Sequence, residues 1–281
     1  MNRLLAAALA ATALGAVGCT NDFSPQSDLL GLRVLAIVAD PLELAPGQDV
    51  TLRAVDYVPP GSTVTAVRWT FCPISAGAVT AYACAVPQCE AELTPASDGT
   101  VTANPTLLIS ACLGVAPGTP LPPSVPDSLL TVFRQRITTD AGESREAVLQ
   151  IPQWTRAAPV DPNLPPVIQG VEIGGVPVRV GVPAPPLPVD GALPVRLLID
   201  PLSVQTYVDA AGVNQTETMT GYFYTTAGTF SNGITTGTDT QVNLEGTGLL
   251  PGQTTAEVWV VALDLRGGQA VAGPFTVPIG P

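Results

Sequence analysis

Residues 256–277 read AEVWVVALDLRGGQAVAGPFTV, and residues 129–151 read LLTVFRQRITTDAGESREAVLQI. Each stretch is an apolar run, an Asp-led turn containing glycine and a return run, closed by Pro278 or Pro152. Glycine supplies the positive φ that a hairpin of this kind requires. In the return run of the upstream stretch, Ala147, Leu149 and Ile151 share one face, the period of two that marks a half-buried strand. One ending recurring in two halves of the chain points to a duplicated β design.

The same period extends outward. Residues 50–54 (VTLRA) and 67–71 (VRWTF) alternate apolar and polar positions, and Asp40-Pro41 and Pro46-Gly47 mark the turns between early strands. In the second half, residues 167–173 begin a new set of strands. Val195, Leu197 and Ile199 alternate with Arg196 and Asp200, and residues 218–225 are aromatic and β-prone. No helical pattern is evident outside the N-terminus. Short strands of this spacing predict an all-β chain of two tandem immunoglobulin-like or fibronectin-like β-sandwiches. Trp69, in the third predicted strand, is placed where such sandwiches bury a core tryptophan, and Phe223 is its expected counterpart. Residues 157–166 (AAPVDPNLPP) hold four prolines without apolar periodicity and read as a semi-rigid linker. The boundaries follow: 1–18 signal peptide, 19–29 lipidated N-terminus and tether, 30–156 first sandwich with a disulfide-pinned insertion, 157–166 linker, and 167–281 second sandwich.

Composition closes off much chemistry. The 281 residues are 46% hydrophobic and 12% charged, with 23 acids against 11 basic residues, a formal charge of −12. All 11 basic residues are arginine, and histidine and lysine are absent. The chain alone therefore offers no imidazole base, His-ligated metal, Schiff-base lysine or P-loop. Its acidity opposes binding to nucleic acid, and no basic patch is visible in the sequence. Carboxylate pairs remain as an acid–base option, with Glu90 and Glu92, and Glu143 and Glu146, as candidates for glycan chemistry. Asp140 with Glu143, and Asp264, are the oxygen ligands a calcium-stiffened adhesin would use, although each lies in a turn it could simply form. Solvated surface charge is the simpler reading of all these acids, and no cofactor is expected. Asn214-Gln215-Thr216 matches a glycosylation sequon that bacterial lipoproteins seldom use. The proline-rich 121–123 and 184–188 read as sandwich loops rather than polyproline ligands.

The N-terminus has Arg3, a 14-residue apolar run at 4–17, then Gly18 and Cys19. That run is shorter than the roughly 20 residues a membrane span needs, so it reads as a cleaved signal peptide. Residues 14–19 (LGAVGC) resemble the lipobox of bacterial lipoproteins, with Ala16 where leucine is commoner. The resemblance implies acylation of Cys19, and Thr20 in place of aspartate after it implies outer-membrane sorting. With Cys19 assigned to lipid, Cys72, Cys84, Cys89 and Cys112 remain, an even set in an oxidising compartment that predicts two disulfides. Their spacings do not suit a metal site, and three connectivities are open.

Residues 218–230 (TMTGYFYTTAGTF), 256–277, 33–57 and 69–73 (WTFCP) resemble Ig-like or PKD-like repeats in predicted myxobacterial-type surface lipoproteins. That resemblance implies a fold and a location and brings no catalytic residues. The expected function is a non-catalytic binding, adhesion or scaffold module. Its membrane contact would be the lipid, its partner an envelope protein or glycan of unknown identity, and a carboxylate-based cell-wall enzyme the alternative.

Overall fold

The computed structural model describes residues 25–208 and 211–280. The expected signal peptide, Cys19 and most of the expected tether lie outside them. The first half contains β1 (Arg33–Asp40), β2 (Val50–Tyr57), β3 (Val64–Cys72), β4 (Ala91–Leu93), β5 (Val101–Ala103), α1 (Pro105–Cys112), β6 (Ser128–Thr139) and β7 (Ser144–Trp154). The second half contains β8 (Ile168–Ile173), β9 (Val176–Pro177), β10 (Leu187–Pro188), β11 (Ala192–Ile199), β12 (Thr206–Val208), β13 (Asn214–Thr216) and β14 (Thr220–Thr225). It continues with β15 (Thr229–Phe230), β16 (Ile234–Thr236), β17 (Asp239–Glu245), β18 (Thr255–Leu263) and β19 (Gln269–Gly280).

Both halves fold to one strand order. In the first, a sheet β1-β2-β5 faces a sheet β4-β3-β6-β7. In the second, β8-β11-β17 is the centre of one sheet and β16-β14-β18-β19 of the other, with short β9, β15 and β10 added at edges. Counting the principal strands of each half from one to seven gives the same arrangement twice: 1-2-5 against 4-3-6-7. This is an all-β, fibronectin-like sandwich in tandem, and the two Asp-led hairpins, β6–β7 and β18–β19, are its sixth and seventh strands in each copy.

Alternation decides which faces meet. In β11 the buried positions are Leu193, Val195, Leu197 and Ile199, and they pack with Phe223 of β14 and with Val258 and Val260 of β18. In the first half, Trp69 and Phe71 of β3 pack with Phe133 of β6, Leu149 and Ile151 of β7, and Leu52 of β2. Trp69 and Phe223 are both fully buried on the third strand of their sandwiches, as expected. Each such side chain removed from water contributes roughly 1.5–3 kcal/mol, so each half has an apolar core of its own.

Two expectations change. A helix does form outside the N-terminus: Asn104 caps α1 by accepting from Leu107 N (3.1 Å), and Pro105 stands at its first turn, where a missing N–H costs nothing. The C-terminal end of the expected tether is also not free. Leu29 is buried, its N–H donates to Thr225 O (2.8 Å), and Thr225 N donates to Ser27 O (2.9 Å), so residues 27–29 run beside β14 of the second sandwich.

The sandwiches share a seam. Leu29, Leu35, Ala36 and Tyr57 from the first half pack with Tyr224, Trp259 and Val261 from the second. The Tyr57 and Trp259 rings meet edge-on with centroids 5.7 Å apart, and the Arg33 guanidinium lies 5.0 Å from the Tyr224 ring centroid. Ile37 N donates across the seam to Gln269 Oε1 (3.1 Å).

Candidate functional site

The four cysteines of the first sandwich are paired Cys72–Cys84 and Cys89–Cys112, with Cα atoms 5.5 and 5.0 Å apart. The first pair closes the loop leaving β3. The second joins the turn at 87–89 to the last residue of α1, so the segment between β3 and β6 is held at both ends.

The candidate carboxylates are not left as acid–base pairs. Glu92 meets Arg68 (3.2 Å), Glu90 lies 3.8 Å from Arg134, Glu146 meets Arg136 (3.1 Å) and Glu143 meets Arg145 (2.7 Å). Glu143 Oε2 also accepts from Leu32 N (3.1 Å). Each candidate carboxylate thus faces a guanidinium rather than its intended carboxylate partner.

The hairpin aspartates are occupied by hydrogen bonds, Asp140 from the β2–β3 connection and Asp264 from its own turn. Asp140 accepts from Thr63 N (3.0 Å) and Thr63 Oγ1 (2.8 Å), which hold its carboxyl below the ordinary aspartate range, the backbone bond most. Asp264 is buried and accepts from Arg266 N (2.7 Å), Gly268 N (2.8 Å) and Asn163 Nδ2 (3.0 Å). Gly268 must be glycine, because a Cβ there would overlap Asp264 Oδ2 and come 2.8 Å from Leu42 Cδ1. Among the described residues, no group of three or more acidic or cysteine side chains is arranged to hold a metal ion.

Arg266, in the same turn, ties the two halves together. Its Nη1 donates to Glu217 Oε1 (2.7 Å), its Nη2 to Glu43 Oε1 (3.2 Å), and its guanidinium lies 4.2 Å from the Tyr207 ring centroid. The Glu217 side chain is 0% exposed and that of Arg266 only 18%, so this pairing is screened little by solvent. Glu43 belongs to the first sandwich, Glu217 and Arg266 to the second, and Asn163 to the linker. The linker therefore takes part in the junction through Asn163.

Two other carboxyls are shifted by burial. Asp56 accepts from Gln135 Nε2 (2.9 Å), yet desolvation dominates and raises its pKa. Desolvation likewise raises Asp28, against the lowering by Ser27 and Thr229. Asp56 Oδ1 and Gln135 Oε1 are both buried without a hydrogen-bond partner.

Concavities lie along the seam. One of about 500 Å³ is bounded by residues 30–34 with Arg145 and Glu146. Another of about 390 Å³ lies between residues 25–27 and the Tyr222–Tyr224 and Ile234 side. One of about 350 Å³ is lined by Val148, Gln150, Leu265 and Arg266. The proline-rich 184–188 is sandwich structure: Ala184 and Leu187 are buried, and β10 pairs in parallel with β19.

Sequence reasoning missed the seam and Arg266. It had placed Asp264 in its turn, but nothing local shows that the residue two positions on reaches Glu43, 223 positions away.

The fold and this junction define a two-sandwich module of fibronectin-like order. No family model matches the chain, and no curated protein matches it. Murine CEACAM1b is 11% identical and is matched over 87% of this chain and 98% of its own, with a TM-score of 0.25. The D00-D0 domain of intimin is 10% identical over 87% of this chain and 100% of its own, with a TM-score of 0.22. The fibronectin(III)-like modules of Clostridium thermocellum CbhA are 11% identical over 86% and 92%, with a TM-score of 0.23. At these values the fold assignment rests on the strand order itself.

Proposed function

We propose that the chain is a non-catalytic binding or scaffold module of the cell envelope, anchored to the outer membrane by lipid on Cys19. Its two sandwiches act as one rigid unit that an envelope protein or glycan contacts. The seam carries this reading: an apolar cluster, an aromatic pair and a half-buried Arg266 fix one sandwich on the other. Display needs a fixed geometry, and docking supplies it. The arginine partners of Glu90, Glu92, Glu143 and Glu146 speak against the glycan-hydrolase alternative, and the hydrogen bonds that occupy Asp140 and Asp264 speak against calcium stiffening.

The anchor is tested by growing cells with labelled palmitate and comparing the wild-type chain with Cys19→Ser. The reading expects label and detergent-phase partitioning in the wild type and neither in the variant. An unlabelled wild-type chain, or a variant that still matures and partitions with detergent, would overturn it. Labelling of intact cells from outside, through a tag near Pro281, then separates surface display from a periplasmic scaffold.

A further inference from the structure

Three of the chain's eleven arginines converge on one face of the first sandwich. Arg68 of β3 stands directly opposite Arg136 of β6, and Thr70 stands opposite Arg134. Residues two apart on a strand share a face, so the three guanidiniums and Thr70 surround one spot. A cavity of about 110 Å³ lies there, lined by Arg68, Thr70, Glu90, Arg134, Arg136 and Glu146. Three arginines and two glutamates line it, and Glu92 at its rim brings the carboxylates to three, so what marks the site is the convergence of guanidinium donors rather than a surplus of charge.

The three arginines are not equally well served. Like charges placed directly opposite on paired strands destabilise a sheet, and Arg68 and Arg136 are such a pair. Glu92 occupies Arg68 from outside the lining, and Glu146 occupies Arg136. Arg134 is served least. Its side chain is 16% exposed, Glu90 is 3.8 Å away and beyond hydrogen-bond reach, and Nη2 donates instead to Tyr82 O (2.9 Å). Its Nε is buried with no hydrogen-bond partner, a costly state for a donor on a charged group.

We propose that this cavity binds one tetrahedral oxyanion group, sulfate or phosphate, free or carried as an ester on a larger molecule. Donors converging from two strands match an acceptor that offers oxygens in several directions, and guanidinium groups are well suited to such acceptors. The cavity holds a single group, and no aromatic side chain lines it to stack a nucleobase. Its lining shares no residue with the apolar cluster of the seam.

The test is calorimetric titration of the full chain, purified in neutral detergent at fixed ionic strength. The probes are sodium sulfate, sodium phosphate, glucose 6-phosphate, N-acetylglucosamine 6-sulfate and sodium glucuronate. Saturable one-to-one binding of sulfate or phosphate is expected, weakened about tenfold or more by Arg134→Gln and left unchanged by Arg196→Gln in the second sandwich. Esters binding as well as the inorganic ions assign a group borne on a larger molecule, whereas inorganic binding alone assigns a free ion. Should Arg134→Gln fail to fold, Arg136→Gln, whose side chain is largely exposed, takes its place. No saturable binding to the folded wild type, equal binding by the arginine variants, or binding of glucuronate alone would overturn the proposal. Loss of palmitate labelling would leave this titration unaffected, so the two readings fail separately.

Discussion

Asp56 shows how a single carboxyl sets a pH response. Burial raises its pKa and that of Asp28, so the folded protein takes up these protons before the unfolded chain does. Stability therefore rises as pH falls from neutrality through the folded values. The opposite group is Asp98, Asp140 and Asp239, held below the ordinary range chiefly by Thr100, Thr63 and Arg196. Their contribution is present above the unfolded pKa of about 4 and is lost as pH drops below it. Thermal melts should therefore show Tm level or rising from neutral to about pH 5, and falling below about pH 4. Asp56→Asn removes a partly screened buried charge and presents a donor where Asp56 Oδ1 and Gln135 Oε1 find none. It should gain from a few tenths to about 1 kcal/mol at neutral pH and lessen the rise on mild acidification to the part Asp28 contributes, measured by urea unfolding across pH. A loss of stability at neutral pH would show that the charge is used. At Gly268 the constraint is steric, and Gly268→Ala should cost at least about 2 kcal/mol by displacing Asp264 and Leu42.

At the level of elements, what the sequence made legible is what alternation and turns encode. The β6–β7 and β18–β19 hairpins, and β3 with Trp69, can be read because period two, an Asp-Gly turn and an aromatic core residue are all local. Segment β17 carries a weaker form of the same signal, since of Thr240, Val242 and Leu244 only two are apolar, and α1 is only eight residues with one cap and one proline to announce it. The ion pairs were not legible at all. Glu92 reaches Arg68 and Glu146 reaches Arg136 through cross-strand register, which composition does not encode. The four cysteines were legible as disulfides, but their pairing required knowing that α1 ends beside the turn at 87–89. Reducing either bond should cost about 3 kcal/mol through freedom returned to the unfolded chain. Peptide mapping of the unreduced protein should recover Cys72–Cys84 and Cys89–Cys112, and any other pairing would contradict this part of the fold.

For the whole molecule, the decisive feature is that two copies of one sandwich, with separate cores, are docked by side chains far apart in sequence. Tyr57 with Trp259, and Glu43 with Arg266, are contacts no local pattern announces, so the proline-rich linker reads from sequence as a spacer between independent bodies. Removing Arg266 takes the guanidinium from Glu217, whose side chain is fully buried, and cuts the tie to Glu43 of the first sandwich. Breaking the buried pair costs the second sandwich about 3–5 kcal/mol, and with the tie to Glu43 gone Arg266→Ala should split one calorimetric unfolding transition into two, the second sandwich melting first. Two transitions in the wild type would mean the seam contributes little. The most direct test of a rigid display unit is small-angle X-ray scattering of soluble Cys19→Ser protein, alone and with Arg266→Ala and Trp259→Ala combined. A wild-type curve fitted by the docked arrangement, with expansion only in the double variant, is the predicted result. An extended wild-type profile that the double variant leaves unchanged would contradict it.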